Sequence, residues 1–386
     1  MDIEELRRAT PAIGNVVHFN AASSGLVPVQ VLSAMVAHLE AEAGLAPHEA
    51  GVASVPAREG VRAEVAALIG AQPSEVAFAE GSSQAWNAAF AALPELQPGD
   101  RVLVGRHEWG GNVFTLMQAC ARRGARLEVI PAGPDGRSDP GALSAMLDDR
   151  VRLIVMTWMP AHCGIAEPVA EVGRIARAAG VPYFLDAAQA LGVVPVDVTA
   201  LGCDVLAAPG RKGLRGPKGS GILYVRQDFL ERLTPGGLNV RAASWTGTAP
   251  ELRADAGRFE SNECAPAGIL GLGAAVRLAA ELGVAALAER SFGKAASLRG
   301  ALRAVPGVRL REEGLAESHI TTFTHVALSP AEVMQRLADQ RITVNAVPAA
   351  YGPLVDLPQA GVIRASVSYL TTEEEIGHLA EALSGI

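Results

Sequence analysis

Cysteine is scarce in this chain. The four present, Cys120, Cys163, Cys203 and Cys264, are scattered without a C-x-x-C spacing, so neither a disulfide framework nor a zinc site is suggested. A reduced, cytoplasmic setting fits that usage. Also missing is any stretch of about twenty uncharged apolar residues, which argues against a membrane span. The amino-terminal MDIEELRRATPAIG is charged and helical in pattern, not an apolar signal core. No Lys/Arg block interrupts a formal charge of −8, so neither nucleic acid nor an anionic membrane is expected as a partner. What is present, 386 residues with 49% hydrophobic and 19% charged content, is the composition of a soluble globular protein large enough for two domains.

Between Val181 and Arg226 the chain reads VPYFLDAAQALGVVPVDVTALGCDVLAAPGRKGLRGPKGSGILYVR. The apolar run ending in Asp186 has the length and composition of a buried parallel strand, so it delivers a carboxylate to the strand's carboxyl end. Open α/β sheets keep their ligands there. Lys212 stands between Arg211 and a glycine-rich stretch that turns into a further strand, GILYVR. Each residue alone has a plainer reading, Asp186 as a turn or helix cap and Lys212 as a solvated loop residue. Together they are what a pyridoxal 5'-phosphate (PLP) site needs: an anion for the protonated ring nitrogen and an amine for the aldehyde.

The stretch resembles the cofactor-binding segment of the class V aminotransferase family, the group of cysteine desulfurases, isopenicillin N epimerase, kynureninase and related lyases. The family pattern D-x-A-Q, R-K and G-P-x-G-x-G stands here as DAAQ (with Gln189), GRKG and GPKGSG. The resemblance implies an α/β architecture of PLP fold type I: a mainly parallel seven-stranded sheet with helices on both faces, plus a small C-terminal α+β domain. The strand, helix, strand repetition before Asp186 agrees with a parallel sheet under helical cover. The implied division is an arm at 1–15, a large PLP-binding domain at 16–265, a connecting helix at 266–285 and the small domain at 286–386. In the small domain VRLREEG, ITTFTHV, RITVNAV and VIRASVSYL read as strands.

Further site residues follow from the same resemblance. Gly81 to Asn87 matches the family's phosphate loop, so Ser82 and Ser83, at the start of a helix, are expected to hold a phosphate with the free N–H groups of its first turn; a plain N-cap is the other reading. In HEWGGN, Glu108 and Asn112 align with the family loop and put Trp109 flat over the cofactor ring, with His107 two residues too early. Ala161 occupies the place of a family Asn, which leaves Gln189, with His162, to meet the phenolic oxygen. His162 beside Cys163 reads as packed pocket lining. Arg211 joins the cofactor set, and Asn262, in RFESNE, is expected to reach the phosphate of a partner subunit. Glu263 is set aside because a carboxylate repels a phosphate. Asn20 and Ser24, in a loop that is either a turn or a ligand contact, Trp245 in a long loop, Tyr351, and Arg364 as a fork for an α-carboxylate, make up the substrate side.

The desulfurases carry a catalytic cysteine in the loop before this arginine, and here that stretch is VNAVPAAYGPLVD, with Ala350 nearest the position. On that ground the expectation is a PLP-dependent C–S β-lyase, similar to the ergothioneine-type lyases, that cleaves an S-substituted cysteine to a thiol or sulfenate, pyruvate and ammonia, and not a persulfide-type desulfurase. An amino-acid epimerase, or a decarboxylating, oxidatively deaminating tailoring enzyme, is the alternative. The implied assembly is a homodimer with shared active sites, an amino acid as substrate, and no metal.

Overall fold

The strand Val151–Thr157 is buried at every position but Arg152. Such a run, apolar on both faces, suits the middle of a parallel sheet. In this computed structural model, which describes residues 1–311 and 317–386, it lies between Arg101–Val104 and Tyr183–Asp186, parallel to both. The sheet has seven strands in the order Val76–Ala79, Gly221–Val225, Val205–Pro209, Tyr183–Asp186, Val151–Thr157, Arg101–Val104, Arg126–Val129. Gly221–Val225 runs antiparallel to both neighbours. Alternation along the strands sorts the core into two layers. Leu103, Ile154, Leu185 and Leu206 pack with Val65, Val172 and Leu272 on one face, while Val102, Val155, Phe184 and Val205 pack with Trp86 and Leu116 on the other. Helices therefore cover both faces, as expected of this α/β sheet.

The helix Val169–Ala179 stops where its sequence says it should, at Gly180 with φ of 67°. Its flank depends on another glycine. Gly173 brings the helix against the carbonyl of Leu201, at the end of the short helix Val198–Leu201; an added Cβ would overlap that oxygen and stand 3.2 Å from the Tyr183 ring.

A second sheet of four antiparallel strands follows, in the order Val308–Leu310, Ile320–His325, Val362–Ser366, Asn345–Val347. The end of the expected VRLREEG strand lies outside the described residues. Capping boxes start the helices beside this sheet, Ser329 with Glu332 and Thr372 with Glu375, each a contribution of about 1 kcal/mol. The amino terminus joins here as well. Val17–His18 pairs in parallel with Ile342–Thr343, and Arg7 bonds the Leu370 carbonyl at 2.6 Å and Glu375 at 3.0 Å. Ser366 N donates to Phe19 O at 2.8 Å and Ser366 Oγ accepts from Ala22 N at 2.9 Å, so the loop after Phe19 is fastened to the strand that carries Arg364.

The region read as a long loop around Trp245 contains a hairpin, Ala243–Trp245 with Pro250–Leu252. Gly247, at φ of 97°, provides its turn, a short signal easily lost among polar neighbours. Among the described residues no single helix is long and apolar enough to cross a membrane.

Gly173→Ala should lower stability by about 1–3 kcal/mol, because two backbone segments must separate to admit one methyl group. Urea denaturation measures this; an unchanged midpoint would mean that the helix slides freely over Leu201.

Candidate active site

Parallel strands bring their carboxyl ends to one edge of the sheet, and the chain places its reactive groups there. Thr157 and Asp186 end their strands, Trp109 leaves Arg101–Val104, and Lys212 lies in the turn after Val205–Pro209. Gly221 lets the backbone at Gly81 come close, since a Cβ would sit 2.7 Å from its Cα. The result is a cavity of about 410 Å³ whose wall includes Ser82, Ser83, Trp109, Asp186, Gln189, Arg211, Lys212, Tyr351 and Arg364. Another cavity, of about 350 Å³, opens at the opposite edge around Phe90, Leu93 and Arg122. It lacks the convergent acid and amine.

Asp186 is buried. Its Oδ1 accepts from Ala188 N at 2.8 Å and its Oδ2 from Asn112 Nδ2 at 3.2 Å. Burial raises its pKa, and the positive charge of Lys212 pulls the other way. Lys212 keeps some exposure to the cavity it lines, but protein surrounds it densely, and that desolvation lowers its pKa to about 7. Asp186 opposes the shift, and Arg211 and Arg364 add to it. Among the described residues no hydrogen bond or ion pair engages the Lys212 amine.

Asn112 does more than hold Asp186. The same Nδ2 donates at 2.8 Å to Oε1 of Glu108, which also accepts from Thr157 Oγ1 at 2.7 Å. Glu108 is fully buried, and burial together with nearby Asp186 pushes its pKa up to about 8. One of two neighbouring carboxyls is thus kept neutral at physiological pH. The backbone of Trp109 is fixed through this group, its amide N–H donating to Thr157 Oγ1 at 3.1 Å. Its ring meets Tyr351 edge-on, with centroids 4.6 Å apart.

Arg364 is 2% exposed and, among the described residues, has no carboxylate partner. It donates to Ala161 O at 3.0 Å, to Ser23 Oγ at 2.5 Å and to Asn20 Oδ1 at 3.5 Å. Burial lowers its pKa to about 10, which leaves it charged at neutral pH. A buried cation held only by neutral acceptors suits an incoming anion.

The remaining expected residues are placed as follows. Asn20 stands behind Arg364, and Ser24 donates to the Arg211 carbonyl at 3.3 Å, outside the cavity wall. Trp245 is 70% exposed on its hairpin and Asn262 is exposed; neither lines the cavity of its own chain. His107 and His162 are buried and also outside the wall. Ser23, which touches Arg364, and Thr157 were not singled out from sequence. In NAASSG nothing but the fold distinguishes Ser23 from Ser24.

The residues fit PLP. Ser82 Oγ is shielded from solvent without a hydrogen-bond partner among the described residues, at the first turn of the helix Ser82–Ala91, where a phosphate suits the free N–H groups. Gln189 Nε2 bonds Ala22 O at 2.8 Å and leaves Oε1 buried and unpartnered among the described residues. Residues 16–379 match the family described as aminotransferase class V. The chain belongs to that family.

Within the class V family, a probable cysteine desulfurase of Methanothermobacter thermautotrophicus is 30% identical over 398 residues, which span 100% of this chain and 98% of the relative. The apo structure of a cysteine desulfurase from Thermococcus onnurineus NA1 superposes with a TM-score of 0.90 at 23% identity, covering 99% of this chain and 97% of that one. A C-DES mutant with glycine covalently linked to its PLP cofactor superposes at 0.88, with 24% identity over 98% of each chain. The fold is that of the fold type I PLP enzymes, and PLP is the cofactor of this class V enzyme.

The likeness corrects two expectations. Full-length relatives are named cysteine desulfurases, which overturns both the assignment as a C–S β-lyase, with its epimerase alternative, and the exclusion of desulfurase chemistry. The exclusion rested on the missing cysteine near Ala350. The thiol that accepts the sulfur can belong to another molecule, so a loop without cysteine does not by itself exclude the reaction.

Lys212 also sets a pH dependence. Its pKa of about 7 lies below the ordinary 10.5, so between those values the unfolded chain binds a proton that the folded chain does not, and this group makes stability rise with pH. In cofactor-free protein, the stability deficit of wild type relative to Lys212→Met should be largest at pH 7 and below and shrink towards pH 10. Urea denaturation across pH measures it; a constant difference would mean that the amine is solvated.

Proposed function

We propose that this chain is a PLP-dependent enzyme that mobilises the sulfur of L-cysteine, leaving alanine and passing sulfur to an acceptor thiol. The observation that carries the reading is one cavity holding Lys212, Asp186 and the buried Arg364, which has no carboxylate partner among the described residues, in a chain aligned end to end with cysteine desulfurases. When bound, PLP supplies an electron sink that stabilises negative charge at the substrate's Cα. Asp186 would keep the ring nitrogen protonated, Ser82 and Ser83 would hold the phosphate with Arg211 near it, Gln189 would meet the phenolic oxygen, and Trp109 would pack on the ring. Arg364 takes the substrate carboxylate and thereby fixes which bond to Cα faces Lys212, orientation that accounts for much of a rate. The Lys212 amine, already favouring its neutral form, accepts the proton from Cα and returns one during turnover.

The balance is simple. Cysteine and a thiol, RSH, become alanine and the persulfide RSSH: the Cβ–S bond breaks, an S–S bond forms, and Cβ gains a proton. The cavity wall contains no cysteine among the described residues, so the accepting thiol enters through the cavity mouth, from a small molecule or a second protein. Among the described residues no two cysteines form a disulfide, as suits a reducing setting.

The functional unit in this reading is a homodimer. On the helix Val29–Gly44, Leu32, Val36 and Leu39 are 49%, 40% and 52% exposed and share one face, an apolar stripe suited to a second copy. Exposed Asn262 and Trp245 would then serve the neighbouring subunit's cavity.

With L-cysteine and excess dithiothreitol, the purified protein should release alanine and sulfide in equal amounts, and Lys212→Ala should abolish both. Pyruvate and ammonia in place of alanine would sink the reading. Arg364→Ala should raise KM about 30-fold or more, from the loss of at least about 2 kcal/mol of buried charge pairing. In sedimentation the protein should run as two chains, and Val36→Asp with Leu39→Asp should shift it to one.

A further inference from the structure

Beside the cavity, and outside its wall, two imidazoles and a thiol converge. His107 leaves the strand Arg101–Val104, and His162 and Cys163 leave its parallel neighbour Val151–Thr157. All three are buried. Their donor atoms, one from each, lie within 4.8 Å of one another. His107 Nδ1 is 3.4 Å from His162 Nε2 and 3.6 Å from Cys163 Sγ. A tetrahedral zinc ion, with bonds of about 2.0 Å to nitrogen and 2.3 Å to sulfur, spaces its ligands about 3.3 Å (N to N) and 3.5 Å (N to S) apart. Both measured edges already have the length that a shared ion requires.

The orientation agrees with the spacing. His107 Nε2 lies 3.1 Å from the Gly136 carbonyl, which keeps the proton on that nitrogen and turns the Nδ1 lone pair towards the other two groups. Metal-bound histidines are commonly aimed by such an outer hydrogen bond. A single in-plane lone pair cannot point at two hydrogen-bond donors at once, whereas an ion lying on it can be shared by all three. We propose that His107, His162 and Cys163 form a binding site for a divalent transition ion of the zinc type. One thiolate and two imidazoles are the donor set that favours zinc over magnesium or calcium. Binding releases the thiol proton, and these three side chains supply three of the ion's four positions.

The ion would have a structural task. It would join the loop carrying Trp109 to the loop carrying Ala161, whose carbonyl holds Arg364. His162 also packs into the space left by the missing Cβ of Gly352, next to Tyr351. The site therefore binds together the supports of three groups in the cavity wall. This holds whatever the enzyme's substrate.

The test uses the PLP-loaded protein, treated with a chelator under reducing conditions and dialysed against zinc, with bound metal counted by mass spectrometry. Wild type should retain about one zinc per chain, and Cys163→Ala and His107→Gln less than about one tenth of that, with the cofactor absorbance and circular dichroism preserved. Cobalt(II) bound to wild type should show a thiolate-to-metal charge-transfer band. No stoichiometric zinc in wild type, or full zinc in Cys163→Ala, would overturn the proposal. Should that variant fail to fold, the wild-type cobalt spectrum decides alone: cobalt bound without the thiolate band overturns it too.

Discussion

Holding an amine in a protein wall beside a buried carboxylate is the constraint on which this structure turns. Burial drives Lys212 and Asp186 towards their neutral forms, while each favours the charged form of the other. The surroundings treat the two unequally. Asp186 accepts hydrogen bonds from Ala188 and Asn112, and Lys212 has no partner of that kind among the described residues. The acid is thereby held for one fixed role, and the amine is left free to exchange protons and partners. Strands packed on both faces give the rigidity that keeps so costly a neighbourhood in place.

Glu108 shows how the acid is tuned from behind. Two carboxyls that share the amide of Asn112 cannot both ionise cheaply in a dry site, and Glu108, with burial at its strongest, is the one that stays protonated. The neutral partner shapes the loop, through Thr157 and Trp109, without adding a second negative charge beneath the ring site. The economy of the arrangement is that one side-chain amide orients a strand end and a loop together.

Much of this was legible in the chain itself. Asp186 and Lys212 could be found because each sits on a local signal: an apolar run with an acid at its end, and glycines that announce a turn. Ser82 and Ser83 open a recognisable helix, and Arg364 is conspicuous among uncharged strand neighbours. Other features depended on contacts between distant segments. Ser23 rather than Ser24 meets Arg364 because of where Ser366 fastens the loop, which no local pattern encodes. The hairpin at Trp245 rests on a single glycine turn. His107, His162 and Cys163 are brought together by strand adjacency, invisible to a search for closely spaced ligands. The largest misreading, of the activity, came from treating one absent side chain as the absence of a reaction.

The fastening of residues 19–22 to the strand Val362–Ser366 has a mechanical meaning. Asn20, Ser23 and Arg364 all ride on the four-stranded sheet, whereas Asp186 belongs to the seven-stranded one and Lys212 follows its strand Val205–Pro209. The clamp is nevertheless tied to the larger sheet as well, Arg364 through the Ala161 carbonyl and the loop after Phe19 through the bond from Gln189 Nε2 to Ala22 O, so a rotation of one sheet against the other would strain these cross-links as it changed the clamp's reach to the amine. The span of amino acid that can be gripped is then a property of the seam, and substitutions that loosen its cross-links would retune it.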